Sequence, residues 1–520
     1  MNSASNQVGS RKSLLKNSLG ILLSRLITIA VSLVSVPVVI SHLGIAGYGV
    51  WESIIAVSVL CNVAQMTITG TLLWKFSGAF GANDHAAALY YVRIGVFASL
   101  ALFCLITPIA WGSRQVLVHL FHVPAEFRSS AEVILPLVVA LMVLGSVTEV
   151  LGALLSGFQR SGIVNLVQSV SSACNYSVVI IGLFKGFGFW SLLFGFVAAF
   201  LVSLGGLYGV ALWVCGPVSL VPRVPPLTLI RSLKGYSGFM LLSSAATAFR
   251  DQTDRIVLAS VASPIWTGYF GIASRLAGLV WMACQFLYVP VIAASGALGV
   301  RGDWIGLRRL YTDTSTMLSV MVGFLSVTIA ALHDQLFVIW LGHSVPEAIP
   351  ILYLLLLGST VAIVLGGVGS AMCKGLGIVS MEAIYITVGL VINLVLKFAL
   401  IPYLGPIGTV IASAASLGLS VSLFVFLMHK RLPELPWRLS LVSVKTLLAA
   451  FSSITVLRFV LPYFGSASGR AGALFALCTM IPCVGAIYIL FLIGFRVFTM
   501  QQIQHFAARH LSWRANVAKV

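Results

Sequence analysis

Phe249-Arg250-Asp251-Gln252-Thr253-Asp254-Arg255 sets four charged side chains near the middle of a run, from about Tyr236 to Ala262, that is otherwise apolar and long enough to cross a bilayer. Each ionised side chain at the centre of a lone membrane helix costs roughly 2.5–3.5 kcal/mol, so four approach about 10 kcal/mol. They can stay there only by facing water, each other or a charged ligand. On a helix, Arg250–Asp254 and Asp251–Arg255 are i,i+4 pairs, and all four lie within an arc of about 140°. One side of this helix is therefore expected to line a polar space inside the membrane. The competing reading is two self-neutralising pairs that only hold helices together.

Composition extends this local reading to the whole chain. With 59% hydrophobic residues, 8% charged residues and a mean hydropathy of +1.05, the 520 residues cannot form a soluble globule. Apolar runs of membrane-spanning length recur throughout, which predicts a polytopic helical membrane protein. The first run follows Arg11, Lys12 and Lys16, carries Arg25 and lacks an obvious small-residue cleavage site, so it reads as a retained helix. A formal charge of +18 would point to nucleic acid in a soluble protein; here loops on one membrane face explain most of it, and no nucleic-acid partner is expected. Eight cysteines lie in or beside apolar runs without C-x-x-C spacing, and the nine histidines form no H-E-x-x-H pair. Neither a disulfide framework, a metal site nor a cofactor is expected.

The hydropathy pattern predicts fourteen spans, at about 14–40, 47–73, 87–112, 132–157, 163–184, 188–214, 236–262, 265–296, 308–332, 347–371, 379–401, 406–428, 439–461 and 471–495. Alternate loops are strongly unequal in charge. One side, including the N-terminus, Arg160, Arg308, Arg309, Lys374, Lys430 and the C-terminal tail, holds twenty Lys and Arg; the other holds five, Arg114, Arg128, Lys185, Arg458 and Arg470. Both termini are therefore expected in the cytoplasm.

An internal repeat is also visible. Leu43-Gly44-Ile45-Ala46-Gly47-Tyr48-Gly49 is echoed by Ile265-Trp266-Thr267-Gly268-Tyr269-Phe270-Gly271. Gln159-Arg160-Ser161-Gly162-Ile163-Val164 is echoed by Lys374-Gly375-Leu376-Gly377-Ile378-Val379. Lys185-Gly186-Phe187-Gly188 is echoed by Tyr403-Leu404-Gly405-Pro406-Ile407-Gly408. The offsets cluster near 215–221 residues. A repeat of six spans makes two parallel copies. The expected architecture is all-α: two parallel six-helix lobes around a central cavity, plus a C-terminal helix pair. The expected divisions are a tail at 1–13, an N-lobe at 14–214, a Pro-rich cytoplasmic connector at 215–235, a C-lobe at 236–428, an added pair at 429–496 and a tail at 497–520.

Three stretches carry a family likeness. Arg25-Leu26-Ile27 through Pro37-Val38-Val39 to Leu43-Gly44-Ile45-Ala46-Gly47-Tyr48-Gly49-Val50-Trp51 resembles the opening of the bacterial polysaccharide flippases. These are O-antigen and exopolysaccharide repeat-unit translocases of the multidrug/oligosaccharidyl-lipid/polysaccharide exporter superfamily. Asp254-Arg255-Ile256-Val257-Leu258 with Gly268-Tyr269 looks like that family's seventh and eighth helices. Asn393-Leu394-Val395-Leu396 to Ile401-Pro402-Tyr403-Leu404-Gly405-Pro406-Ile407-Gly408 looks like its eleventh and twelfth. The resemblance implies no enzymatic activity. It implies transfer of an undecaprenyl-diphosphate-linked oligosaccharide from the inner to the outer leaflet of the bacterial cytoplasmic membrane, for O-antigen, exopolysaccharide or capsule assembly. Membrane lipids, a polysaccharide polymerase and a chain-length regulator are the implied partners. A peptidoglycan-precursor flippase or multidrug exporter of the same superfamily is the alternative, and a membrane glycan polymerase or ligase is a further one.

Such a cargo needs groups for a diphosphate and for sugars at membrane depth. Arg25, Arg250, Arg255 and Arg275 are candidate phosphate contacts, because a guanidinium fork donates two parallel hydrogen bonds. Each could instead pair with Glu52, Asp251 or Asp254. Trp281 and Gln285, on the face continuing from Ser274 and Arg275, and Asn175, in the row Asn165, Gln168, Ser172, Asn175 and Tyr176, are candidate sugar contacts. The same groups also suit interhelical hydrogen bonds. Glu149 is a candidate proton carrier among Gly145, Gly152 and Ser156, and Glu52, Asp251 and Asp254 are further candidates for ion coupling. Glu52 falls near the outer end of its span, where water would solvate it. Lys397 and Lys445 fall near span ends and are expected to snorkel. No G-x-x-x-x-G-K-[ST] occurs, so the energy would come from a gradient or from the membrane potential, about 2.3 kcal/mol per charge per 100 mV.

The loop charges make a direct prediction. In a cysteine-free background, single cysteines at position 117 and within 340–345 react with a membrane-impermeant maleimide on whole cells, and those at 160, 225 and 305 do not. The reverse pattern inverts the topology.

Overall fold

The computed structural model describes the backbone of residues 11–82, 84–435, 440–460 and 469–497; side chains are described from residue 33 onward, outside 227–240, 436–440 and positions 243, 283, 286, 289, 293 and 379. Sixteen helices follow one another, and no strand occurs among the described residues. They are α1 (Arg11–Cys61), α2 (Val63–Gly81), α3 (His85–Leu120), α4 (Ala125–Leu144), α5 (Ser146–Gly157), α6 (Ser161–Phe184), α7 (Trp190–Cys215) and α8 (Leu227–Val261). They continue as α9 (Pro264–Val300), α10 (Trp304–Ala331), α11 (His333–Leu341), α12 (Ala348–Gly375), α13 (Val379–Leu404), α14 (Pro406–Arg431), α15 (Ser440–Val460) and α16 (Gly469–Gly494). Eleven segments of the described residues are long and apolar enough to cross a membrane. The chain is a multi-pass helical membrane protein.

Several helix joints depart from the simple span pattern. α1 holds two helical segments that meet at Gly44, with φ 69° and ψ 172°. That backbone region is essentially closed to any residue with a Cβ, so the hairpin joint needs glycine. The second segment runs to Cys61, breaks at Asn62 and resumes as α2. The fourth predicted span likewise divides at Gly145 into α4 and α5. The short α11, between α10 and α12, was not foreseen.

Local features recur at the spacing of the sequence repeat. α3 and α10 are both capped by aspartate: Asp84 Oδ1 accepts from the Ala87 amide at 2.9 Å, and Asp303 Oδ1 from the Gly306 amide at 2.8 Å. The turns before α6 and α13 both use a left-handed residue, Gln159 (φ 59°) and Gly377 (φ 76°).

The chain divides into two units, Met1–Gly271 and Ile272–Val520. The core of the first joins Leu72 and Phe76 of α2, Val92 and Val96 of α3, Val150, Leu151 and Leu154 of α5, and Leu207 of α7. In the second, Val327 of α10 packs with Ala449 and Leu457 of α15 and with Met480 and Tyr488 of α16, so the last helix pair is part of a core. Large apolar side chains such as Leu105, Trp213, Phe398, Phe459 and Phe475 are exposed, which suits lipid contact and would be a liability in water.

Glycines let two helices of the first unit approach closely. A Cβ on Gly49 would lie 1.7 Å from the Pro264 carbonyl oxygen, and one on Gly268 would lie 2.6 Å from the Ile45 carbonyl oxygen. Without side chains in the way, the backbones of α1 and early α9 approach as small residues allow in membranes. Gly49→Ala is accordingly expected to destabilise the purified protein by about 1–3 kcal/mol, an overpacking cost, read as a lowered melting temperature in detergent. Gly78→Ala, whose added Cβ meets nothing within 4 Å, should leave the melting temperature unchanged.

Candidate functional site

The Gly49–Gly268 contact decides where the charged turn of α8 finds its partner. Three residues beyond Gly49, Glu52 lies against α8, and Arg255 Nε donates to Glu52 Oε2 at 2.9 Å. Glu52 is only 5% exposed. The expectation that water would solvate Glu52 is corrected: Arg255 of α8 and early α9 cover it, and a Cβ on Gly271 would lie 3.2 Å from Glu52 Cγ.

The pairing along α8 also differs from the i,i+4 pattern. Arg255 reaches Asp251 through the backbone carbonyl at 3.4 Å and Gln252 through Oε1 at 3.2 Å, while its carboxylate partner comes from α1. Its guanidinium carbon stands 5.6 Å from the centroid of Phe270. Thr267 Oγ1 donates to the Arg255 carbonyl at 3.4 Å. Three helices therefore hold one arginine. Arg250 bonds its neighbour Asp251, Nε to Oδ1 at 3.1 Å, instead of Asp254 one turn on. The physical reason is competition: a buried carboxylate on another helix offers Arg255 a less hydrated partner than the half-exposed Asp251 carboxylate. Asp254 is buried, and Thr253 Oγ donates to the Phe249 carbonyl.

Glu52, Asp251 and Arg255 are thus brought together in the first unit, with Arg250 joined through Asp251. Other predicted site residues lie elsewhere. Arg25 is on the first segment of α1, and its side chain is outside the described residues. Arg275, half-buried, and Trp281 and Gln285, both exposed, follow one another along α9 within the second unit. Asn175, partly buried on α6, has its Oδ1 2.7 Å from where a Cβ on Gly195 of α7 would be. Glu149 is accessible on α5, one turn past the Gly145 break.

Further polar groups lie in the second unit. Lys397 is 2% exposed, which corrects its expected snorkelling; it lies one turn beyond Asn393, whose Nδ2 donates to Ser413 Oγ at 2.9 Å and Ser416 Oγ at 3.1 Å. The Asn393-x-x-x-Lys397 spacing was the available signal, since it puts both on one face of α13. Lys445 on α15 is half-buried. Lys374 Nζ pairs with Glu382 Oε2 at 2.9 Å and sits over the Tyr288 ring at 5.3 Å. No group of three or more His, Cys, Asp or Glu that could hold a metal occurs among the described residues.

With that geometry in view, likeness to solved structures is informative about the fold. The chain matches an inward-facing multidrug-resistance MATE family transporter of the MOP superfamily, with TM-score 0.62 and 15% identity, over 80% of this chain and 98% of that one. It matches the lipid II flippase MurJ in an inward closed conformation with TM-score 0.69 and 13% identity, over 92% of this chain and 98% of that one. A MOP superfamily transporter from Pyrococcus furiosus, described as having a binding pocket of reversed polarity, matches with TM-score 0.55 and 16% identity, over 82% of this chain and 96% of that one. No protein-family model matches the sequence, and no curated protein matches it. The chain has the fold of these transporters.

The buried ion pair has a measurable signature. Glu52→Gln or Arg255→Gln alone leaves the other charge without this partner and is expected to cost up to about 3–5 kcal/mol. The double variant should lose far less than the sum, by unfolding in detergent. Additive losses would mean that the two groups act independently.

Proposed function

We propose that this protein is a secondary-transporter-like flippase that moves an undecaprenyl-diphosphate-linked oligosaccharide repeat unit from the inner to the outer leaflet of the bacterial cytoplasmic membrane, supplying surface polysaccharide assembly. The observation that carries the reading is the arginine-bearing turn of α8, with Arg255 paired to the buried Glu52, in a fold shared with a lipid II flippase and multidrug exporters. A guanidinium at depth favours a diphosphate over a cationic drug, which would meet like-charge repulsion. In this reading Arg25, Arg250, Arg255 and Arg275 are the candidate phosphate contacts, Arg255 while held by Glu52, with Trp281, Gln285 and Asn175 as candidate sugar contacts and Glu52, Glu149, Asp251 and Asp254 as candidates for ion coupling. Both termini lie in the cytoplasm, and a polymerase and a chain-length regulator act on the delivered unit outside. The protein acts without catalysing a covalent step.

A second reading keeps the mechanism and changes the cargo. The match to the lipid II flippase over 92% of this chain favours a lipid-linked peptidoglycan precursor as the alternative load. Deletion of the gene separates the two: loss of surface polymer with intact growth supports the repeat unit, whereas lysis supports the precursor.

Within the first reading, Arg25→Ala and Arg275→Ala should each abolish surface polymer by at least tenfold while the protein still inserts at normal levels. Full polymer from both single variants removes the phosphate-binding role.

A further inference from the structure

The segment that leaves α7 runs back along α3 and brings two arginines to one place. The Arg223 amide donates to the Arg93 carbonyl at 3.1 Å, and Arg93 Nε donates to the Val221 carbonyl at 3.0 Å. Pro222, between these two points, has no amide to offer. The Arg223 guanidinium carbon stands 4.9 Å from the centroid of the Tyr90 ring. Tyr90 and Arg93 are three residues apart and share a face of α3. A third cation flanks them from α2: Lys75 Nζ lies 4.6 Å from the Trp74 ring and 5.9 Å from the Tyr91 ring. The Tyr90 and Tyr91 rings are 5.7 Å apart, and the whole cluster belongs to the first unit.

Protein does not balance the charge of this cluster. Among the described residues no carboxylate pairs with Lys75, Arg93 or Arg223. Asp84, at the start of α3, is spent on the helix cap. Arg93 commits Nε to a carbonyl and Arg223 lies against a ring, so the terminal N–H groups of both are left for an acceptor outside the chain. Arg308, near the start of α10, shows the contrast: it turns both Nε and Nη2 on the Glu434 carbonyl, at 3.0 Å and 2.7 Å.

The length of α3 sets the depth. Its 36 residues extend for ~54 Å, and a helix of that length centred on ~30 Å of hydrocarbon leaves about 12 Å beyond each face. Arg93 lies about 12 Å from the start of the helix, at the level of the headgroups. Trp and Tyr favour that level. Trp74 is exposed beside the cluster, as are Val221 and Val224 of the connecting segment. Cations next to exposed apolar side chains suit a ligand that is anionic at one end and hydrocarbon at the other; a free phosphate would use only the cations.

We propose that Arg93 and Arg223, backed by Tyr90 and flanked by Lys75, bind the phosphate of an anionic glycerophospholipid from the surrounding leaflet. The guanidinium forks donate paired hydrogen bonds to the phosphate oxygens. A phosphatidylcholine carries the same phosphate beside its own ammonium group, so the unbalanced cluster selects for net negative charge. The site shares no residue with the charged turn of α8 and does not depend on which cargo the protein moves.

The test is the melting temperature of the purified full-length protein in neutral detergent, titrated with phosphatidylglycerol or with phosphatidylcholine of the same acyl chains. Phosphatidylglycerol should raise it saturably, and phosphatidylcholine should not. Arg223→Gln, at an exposed position whose backbone bond to Arg93 survives the change, should need at least fivefold more phosphatidylglycerol for half the shift. Lys75→Gln approaches the same site from another helix and should weaken the response at least twofold. Arg301→Gln, at an exposed arginine of the second unit, should respond like the natural sequence. Equal shifts from the two lipids, or an unchanged response in both Arg223→Gln and Lys75→Gln, overturn the site. So does an equal loss in Arg301→Gln, which would mean diffuse attraction to a basic surface. A shift of the same size from glycerol phosphate without acyl chains overturns the lipid as ligand.

Discussion

A charge buried among apolar helices has to be neutralised by something fixed, and the contact of buried Glu52 with Arg255 is where this chain meets that constraint. The pair depends on a sequence of local causes. Gly44 turns the chain between its first two helical segments with a backbone geometry that side chains forbid. Gly49 and Gly268 then let α1 and early α9 approach backbone to backbone. That approach sets Glu52 beside Arg255, a residue 203 positions away, in a setting dry enough for a 2.9 Å charge-assisted bond to matter. The consequence is a fixed side chain: the Arg255 guanidinium is held by a carboxylate, a carbonyl, an amide and an aromatic ring.

The same requirement governs the uncharged polar groups. Backbone freed at Asn62 and Gly145 is re-satisfied by Gln65, by Thr148 and by local hydroxyls, in keeping with the rule that irregular backbone inside a membrane must be enclosed by protein or its ligands. In the second unit, Asn393, Ser413 and Ser416 form a comparable hydrogen-bonded cluster between α13 and α14. At the spacing that aligns Asn175 with Asn393, Lys397 corresponds to Val179, and both are buried. The two halves keep a common helix pattern and common caps, yet one has a cation where the other has a hydrocarbon.

Helices, their number to within a few, and their hairpin joints were legible in the sequence because they follow from local properties: runs of apolar residues, glycine and proline at joints, aspartate at caps. That the charges of the 249–255 turn need partners was legible for the same reason, since a charge cluster in an apolar run is costly wherever the run ends up. Its partners were not. Arg255 is four residues from Asp251 in the chain, and spacing alone favours that pair; the preference for Glu52 arises from helix packing that brings distant residues together and excludes water. Lys397 was misplaced because snorkelling is a property of depth and neighbours, which spacing does not encode.

What the amino-acid order determined by itself is thus a multi-pass helical membrane protein with charges inside it, fixed by the free energy of moving side chains and backbone from water to hydrocarbon. What only the tertiary structure decided is which of those charges meet, that Glu52 is buried instead of solvated, and that two helices break opposite one another. Those outcomes depend on close approach between segments far apart in the chain, and close approach is set by packing geometry, which no local stretch of sequence contains.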